Sequence, residues 1–231
     1  MIIPAYNEEE SLPAVLADLE ALPGFDVVVI DDGSSDRTAD VARAAGTPVL
    51  VLPFNLGIGG ALRCGFRYAV EQGYQRAVQL DADGQHDPEE LATLLQPIDR
   101  GIDLAVGSRF ADDAHEYDVG GTRRTAMGVL RFVVRLLSGR SFTDTSSGFR
   151  AFNRPMLEYF ADHYPSEYME SVEALLLALG AGFRVEEVPT RMHARAAGEA
   201  SARRVRLVYH YLRVVITVLV QARRRPQGVE P

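Results

Sequence analysis

"VQLDADGQHDPEEL", residues 78–91, runs from an apolar stretch into five carboxylates within fourteen residues. A short, continuous apolar run reads as a strand covered on both faces, and Ala77–Leu80 fits that description. Asp81 and Asp83 then fall at the strand's end, and Asp87 followed by Pro88 opens a helix. The same order of strand, polar turn and helix recurs on either side. Further apolar runs lie at Met1–Ile3, Val27–Ile30, Val49–Leu52 and Leu104–Val106, and helical patterns span about 8–21, 36–45, 58–72 and 88–99. Asn7, Ser35 and Asp87 are the expected N-caps, with Gly46 and Gly73 as helix stops. This alternation predicts an α/β fold, a mostly parallel central sheet with helices on both faces. Ligands of such sheets sit beyond the carboxyl ends of the strands, so function is expected in the turns.

Beyond residue 108 the regularity loosens. Residues 120–139 read as an amphipathic helix with Arg131 and Arg135 one turn apart, and 146–154 as a strand. A helix over 170–181 and a strand over 183–189 follow. Residues 202–225 are helical in pattern, but Arg206, His210 and Arg213 interrupt their apolar content. The uninterrupted run Val214–Val220 is far shorter than the roughly 20 residues that span a bilayer. The expectation is a domain over 1–201 and a basic amphipathic helix and tail over 202–231, packed on the body or lying in a membrane interface.

Charge is unevenly spread. Residues 1–190 hold 15 Arg against 30 acidic residues, whereas 191–231 hold 9 Arg against 2. A basic tail on an acidic body points to an anionic surface such as a membrane. Nucleic acid is a poor partner for such a body, which lacks a basic patch interleaved with aromatics. The lone Cys64 excludes an intramolecular disulfide and reads as a small core residue of a protein in a reducing compartment. No basic n-region opens the chain, so a cytoplasmic location is expected.

Two carboxylates in one turn repel unless a cation lies between them. Mg²⁺ or Mn²⁺ suits Asp81 and Asp83, because both ions favour oxygen ligands completed by water and phosphate; Gln85 offers a further oxygen. The plainer reading is a solvated acidic turn, and Asp87 and Glu89 fit it as stabilisers of a helix N-terminus. The other strand ends carry matching loops. "IPAYNEEESL" sets Pro4, Tyr6 and Glu8 after the first strand, "VVVIDDGSSDRT" sets Asp31 and Asp32 after the second, and "NLGIGGALRCGF" follows the third. Asp32 can accept from a nucleobase imide N–H with Tyr6 flanking the base; an Asx turn accounts for one aspartate of the pair.

These stretches, with "GSRF", "DTSSGFRAF" and "EVPTRMHARAAGE", resemble in order the family 2 glycosyltransferases of the GT-A fold. Within that family they are similar to the polyprenyl-phosphate (dolichol-phosphate mannose synthase-like) sugar transferases, over about residues 1–201. The resemblance implies a nucleotide-diphosphate sugar donor (GDP-, UDP- or dTDP-linked), Mg²⁺ or Mn²⁺, a polyprenyl-phosphate acceptor at the membrane surface, and inversion at the anomeric carbon. Carried over, Pro4, Tyr6, Glu8, Ile30 and Asp32 hold the nucleoside. Asp81, Ala82, Asp83 and Gln85 surround metal and diphosphate, and Arg109 and Arg195 meet phosphate charge. The last motif departs from the family's R-x-x-G-E-S-K: the chain reads "RAAGEASARR", with Ala200 in place of Ser and no Lys.

The acceptor decides whether a base is needed. An ionised lipid phosphate needs none, whereas a soluble or glycan hydroxyl does. Glu170 and Glu173, on one face of the helix over 170–181, are the candidates, with Glu173 preferred and Glu170 as readily a surface residue. Asp144 and Ser147 are expected to fix a turn, Arg150 to touch phosphate or pair with a carboxylate, and His86 to approach the metal or, more commonly for such a residue, to support the metal ligands from behind or face solvent. Two other classes compete. A sugar-phosphate nucleotidyltransferase would carry a Gly-rich basic loop after the first strand, where this chain is acidic; a scaffold that had lost catalysis would not need the complete Asp81, Asp83 and Gln85 set.

Overall fold

The structure, a computed structural model, describes residues 1–110, 121–165 and 170–192. Arg195 and the expected C-terminal helix over 202–225 lie outside the described residues, so neither is placed.

Among the described residues seven strands form one sheet in the order β3-β2-β1-β4-β6-β5-β7. They are β1 (Ile2–Ala5), β2 (Val28–Asp31), β3 (Val49–Val51), β4 (Arg76–Gln79), β5 (Leu104–Ser108), β6 (Arg150–Asn153) and β7 (Val185–Pro189). β1 pairs in parallel with β2, Pro4 opposite Ile30, and with β4 through Ile2 and Gln79. The mostly parallel sheet expected from the alternation is present. The exception is β6, antiparallel to both neighbours, with Gln79 opposite Arg150 and Leu104 opposite Phe152.

Among the described residues seven α-helices cover the sheet: α1 (Leu12–Glu20), α2 (Thr38–Ala44), α3 (Ile58–Glu71), α4 (Leu91–Asp99), α5 (Gly121–Ser138), α6 (Arg154–His163) and α7 (Glu170–Gly180). Successive strand residues point to opposite faces, and each face has its own core. Ile2, Ile30, Val106 and Phe152 pack beneath α3, α5, α6 and α7, while Ile3, Val29, Ala105 and Ala151 pack beneath α1 and α4. Strands buried on both sides have no polar face, hence their continuous apolar sequences. On the first face Phe66 of α3 meets Phe152 edge-on at 5.0 Å and Tyr164 at 5.0 Å. Such aromatic pairs add to the area they bury.

Several helix starts differ from expectation. α1 begins at Leu12 because Asn7 is used elsewhere: with φ 55° it turns the chain, and its Oδ1 accepts from Ser35 N at 2.9 Å. Asn is among the few residues that adopt this conformation readily. α2 begins at Thr38, whose N–H is accepted by Asp36 rather than Ser35. Asp87 does cap as expected, accepting from Glu89 N at 2.9 Å, although its first turn is 3-10 (Pro88–Glu90) before α4 starts. Gly46 and Gly73 close their helices with positive φ. Helix α6 was not legible from periodicity, and the expected strand over 146–154 is shortened to β6. Among the described residues no helix is long and apolar enough to cross a membrane.

Candidate functional site

Strand direction assembles the site. The turns after β1, β2 and β4 emerge at the carboxyl edge of the sheet. Because β6 is antiparallel, the loop leading into it, "DTSSGF" (144–149), returns to the same edge. Helix α7 precedes β7, a strand parallel to β5, so its first turn comes to that edge as well.

On one side, the loops after β1 and β2 are stitched together. Asn7 N donates to Ser34 Oγ, Glu8 N to Thr38 Oγ1, and Ser11 Oγ to Glu8 Oε2. Asp31 forms the Asx turn, accepting from Ser34 N at 3.1 Å. Asp32 reaches across to the loop after β3, where its Oδ1 accepts from Leu56 N at 2.7 Å. Burial pushes the Asp32 carboxyl pKa up, opposed by hydrogen bonds from Leu56 and Gly57. Tyr6 is 47% exposed at the mouth. Pro4 and Ile30 are buried strand residues, and Ile30 belongs to the core beneath α3, so both form the floor rather than a rim.

At the centre lies the D-x-D turn. Asp83 is almost wholly buried and its Oδ1 accepts from Gln85 N at 3.1 Å, while Ala82 anchors the turn in the core beneath α1 and α4. Asp81 keeps a partly exposed carboxylate, lying against the backbone of Gly148. His86 braces the turn from below and does not face solvent. Its Nδ1 accepts from Asp81 N at 3.1 Å and its ring stacks on Phe149 at 4.9 Å. That hydrogen bond puts the proton on Nε2, 3.7 Å from Asp81 Oδ2. Burial pushes the His86 pKa down to about 4, so the ring is neutral at physiological pH.

The third side holds Arg109. Its Nε donates to Asp144 Oδ2 at 2.7 Å and its Nη2 to Asp144 Oδ1 at 3.0 Å, a bidentate pair. Burial opposes the charge on Asp144, but the bonds and charge of Arg109 with those of Ser146 outweigh it and hold the carboxyl below its ordinary value. Asp144 thus does more than fix a turn. Glu187 of β7 in turn anchors the loop, accepting from Thr143 N and Asp144 N.

Two expectations for the acceptor side need correction. Among the described residues Arg150 neither touches an exposed site nor pairs directly with a carboxylate: it is fully buried, donating to Ser147 O at 2.9 Å and Ser171 O at 2.8 Å. Glu170 is not a surface residue but 7% exposed, whereas Glu173 is half-buried one turn along α7. Burial raises the Glu170 pKa, with the charge of Asp81 adding to the rise.

The donor set at the turn fits a hard divalent ion. Among the described residues no three His, Cys, Asp or Glu side chains cluster as a complete cage. Mg²⁺ and Mn²⁺ do not need one, because one or two carboxylates suffice when substrate phosphate and water complete the shell. Asp81 and Asp83 meet that requirement, and Gly148 leaves room for the Asp81 carboxylate.

Comparison with known proteins agrees with this geometry. A family profile described as Glycosyl transferase family 2 matches residues 1–160. The chain is 38% identical over 207 residues to an undecaprenyl-phosphate mannosyltransferase from Micrococcus luteus, covering 86% of this chain and 85% of that protein. It is 34% identical to a polyprenol monophosphomannose synthase from Mycolicibacterium smegmatis, covering 86% and 78%. In structure it is similar to glucosyl-3-phosphoglycerate synthase from Mycobacterium tuberculosis in complex with Mn²⁺, UDP and phosphoglyceric acid. The TM-score is 0.73 at 21% identity, over 98% of this chain and 78% of that one. At that identity the likeness concerns the fold, and the fold is GT-A.

Proposed function

The chain belongs to glycosyl transferase family 2, and from that premise we propose that it moves a hexose from a nucleotide-diphosphate sugar to a polyprenyl phosphate at a membrane surface, with inversion and with Mg²⁺ or Mn²⁺ bound. The observation that carries this reading is the placement of Asp81 and Asp83 on the edge that also bears Asp32 and Tyr6. A nucleoside held at Asp32 and Tyr6 directs its diphosphate along that edge towards the D-x-D turn. Asp81, Asp83 and Gln85 are the residues that would hold the ion, and when bound it would supply charge neutralisation for a leaving nucleoside diphosphate.

The protein's own groups do the rest. His86 fixes the Asp81 backbone, and Asp144 presents Arg109 in one orientation beside the turn. The Micrococcus relative is named for undecaprenyl phosphate and the Mycolicibacterium relative for polyprenol monophosphomannose, which favours a lipid acceptor. Helix α5 supports it physically. Val129, Phe132 and Leu136 form one exposed apolar stripe, with the exposed Arg135 on the same helix, as suits an anionic interface. A phosphate acceptor is already ionised near neutral pH and needs no base.

The test is a panel of GDP-, UDP- and dTDP-sugars scored for turnover with Mg²⁺ or Mn²⁺, with and without polyprenyl phosphate. Metal-dependent transfer to the lipid, lost in Asp83→Ala, is the expected result. Turnover that proceeds equally in excess chelator would overturn the metal assignment. Transfer to a soluble hydroxyl alone would overturn the lipid assignment and turn attention to Glu170 and Glu173.

A further inference from the structure

Beneath the D-x-D turn, on the sheet face covered by α3, α6 and α7, lies a group of buried polar side chains that the site as described does not use. Gln79 of β4 is fully buried and stands directly opposite Arg150 in the antiparallel ladder. Tyr164, just past α6, is 2% exposed. Among the described residues neither amide atom of Gln79, nor Arg150 Nη1, nor Tyr164 Oη finds a hydrogen-bond partner. These are four of the six such buried atoms. Buried polar atoms in native proteins are satisfied by protein or by ordered water, and a cluster of exceptions calls for a shared explanation.

The chemistry of the cluster selects the occupant. An anion would suit the Arg150 and Tyr164 donors, yet the Gln79 carbonyl and the buried Glu170 carboxyl add acceptors. Donors and acceptors mixed in an enclosed polar space suit water, which needs two to four polar partners. The ladder places the cluster beside the turn: Gln79 is two residues before Asp81, and Arg150 is two residues after Gly148, against whose backbone the Asp81 carboxylate lies. Burial, with the Glu170 and Asp81 charges set against that of Arg150, pushes the Tyr164 pKa above its ordinary value.

We propose that Gln79, Arg150 and Tyr164 enclose a buried water site that hydrogen-bonds the inner side of Asp81, making these three residues positioning residues for the metal-binding carboxylate. The proposal deepens the glycosyl-transfer reading and rests on it for the role of Asp81. A carboxylate that carries a cation is oriented by donors to its remaining lone pairs, and such outer partners bear on affinity. Arg150 supplies the rigid part, since its other two nitrogens are fixed on Ser147 O and Ser171 O. Tyr164 and Gln79 complete the water's shell.

Tyr164→Phe and Gln79→Leu each delete hydrogen-bonding atoms while keeping nearly the same volume. Their Tm is to be measured alongside Mn²⁺ binding, read by electron paramagnetic resonance of free Mn²⁺ with GDP or UDP present. If a water is shared, neither variant gains stability, and the Mn²⁺ dissociation constant rises about tenfold. The kcat at saturating Mn²⁺ then stays near the unaltered value. If the atoms are truly unpartnered, deleting them removes a desolvation penalty; a higher Tm, or an unchanged Mn²⁺ constant in both variants, overturns the proposal. An unaltered chain that binds no Mn²⁺ with either nucleotide overturns the underlying metal reading. That failure is recognisable because it does not depend on either variant.

Discussion

A Cβ at residue 148 would lie 2.7 Å from Asp81 Oδ2 and 2.8 Å from Oδ1, so the Asp81 carboxylate occupies the space that only glycine leaves. The two residues sit on loops from neighbouring strands of opposite direction, β4 and β6. Gly148→Ala must therefore displace the carboxylate, the backbone of the "SSG" loop, or both. Overpacking of this kind costs about 1–3 kcal/mol. The expected signature is an activation curve for Mn²⁺ shifted to higher concentration by roughly tenfold, with partial recovery of turnover at high Mn²⁺. An unshifted curve would mean that the position of Asp81 is immaterial to the ion.

The Arg109–Asp144 pair should govern both stability and its acid limit. Asp144 is fully buried and Arg109 nearly so, and Asp144→Ala removes both charge-assisted hydrogen bonds of the bidentate pair. The substitution is expected to cost about 2–3 kcal/mol at neutral pH. The folded carboxyl titrates below its ordinary value, so its contribution is complete above the unfolded value of about 4 and drains away as pH falls through the lower folded one. Urea unfolding of parent and variant should show a constant gap from about pH 7 to 5 that narrows below about pH 4. A gap independent of pH down to about 3 would remove the pair from the account of stability.

The strands after which the loops open were legible because each is an apolar run buried on both faces, and the aspartates behind them are conspicuous. The direction of β6 was not legible. "RAFN" pairs equally well either way in sequence, yet its antiparallel course brings Asp144, Ser147 and Gly148 to the D-x-D turn. The burial of Arg150 and Glu170 was not legible for the same reason, since it depends on what β6 and α7 place over that edge. Helix α6 did carry a local signal: in "NRP", Asn153 Oδ1 accepts from Met156 N at 3.0 Å and Pro155 occupies the first turn. Hydrophobic periodicity drowned it, because "EYF" and "HY" break the pattern.

That cap gives a compact check on the missed helix. Asn153→Ala removes the side-chain acceptor at the start of α6 and should cost about 1 kcal/mol. The loss should exceed this somewhat, because Asn153 Nδ2 also donates to Asp103 Oδ1 at 2.7 Å. Donor hydrolysis should be retained in the folded variant, since Asn153 lies at the far end of β6 from the turn. A variant as stable as the parent would deny the cap any weight.

The exposed stripe on α5 leads to the prediction that bears most directly on the acceptor. Met127, Leu130 and Val134 are buried and fix one face of the helix on the body, so Val129, Phe132 and Leu136 are left pointing outward at 49%, 65% and 67% exposure. Leaving two large apolar side chains in water is unfavourable by about 1.5–3 kcal/mol each unless another surface takes them up. A lipid interface would do so, and Arg135 on the same helix would add attraction to anionic headgroups. Phe132→Ser with Leu136→Ser should therefore lower partitioning onto vesicles containing anionic lipid by at least about tenfold for the pair. Exposed positions tolerate such changes within about 0.5 kcal/mol of stability, so the fold should be unaffected. Hydrolysis of a soluble nucleotide sugar should also persist, while transfer to a polyprenyl phosphate held in vesicles falls. If partitioning is unchanged and lipid transfer persists, the stripe does not face the membrane.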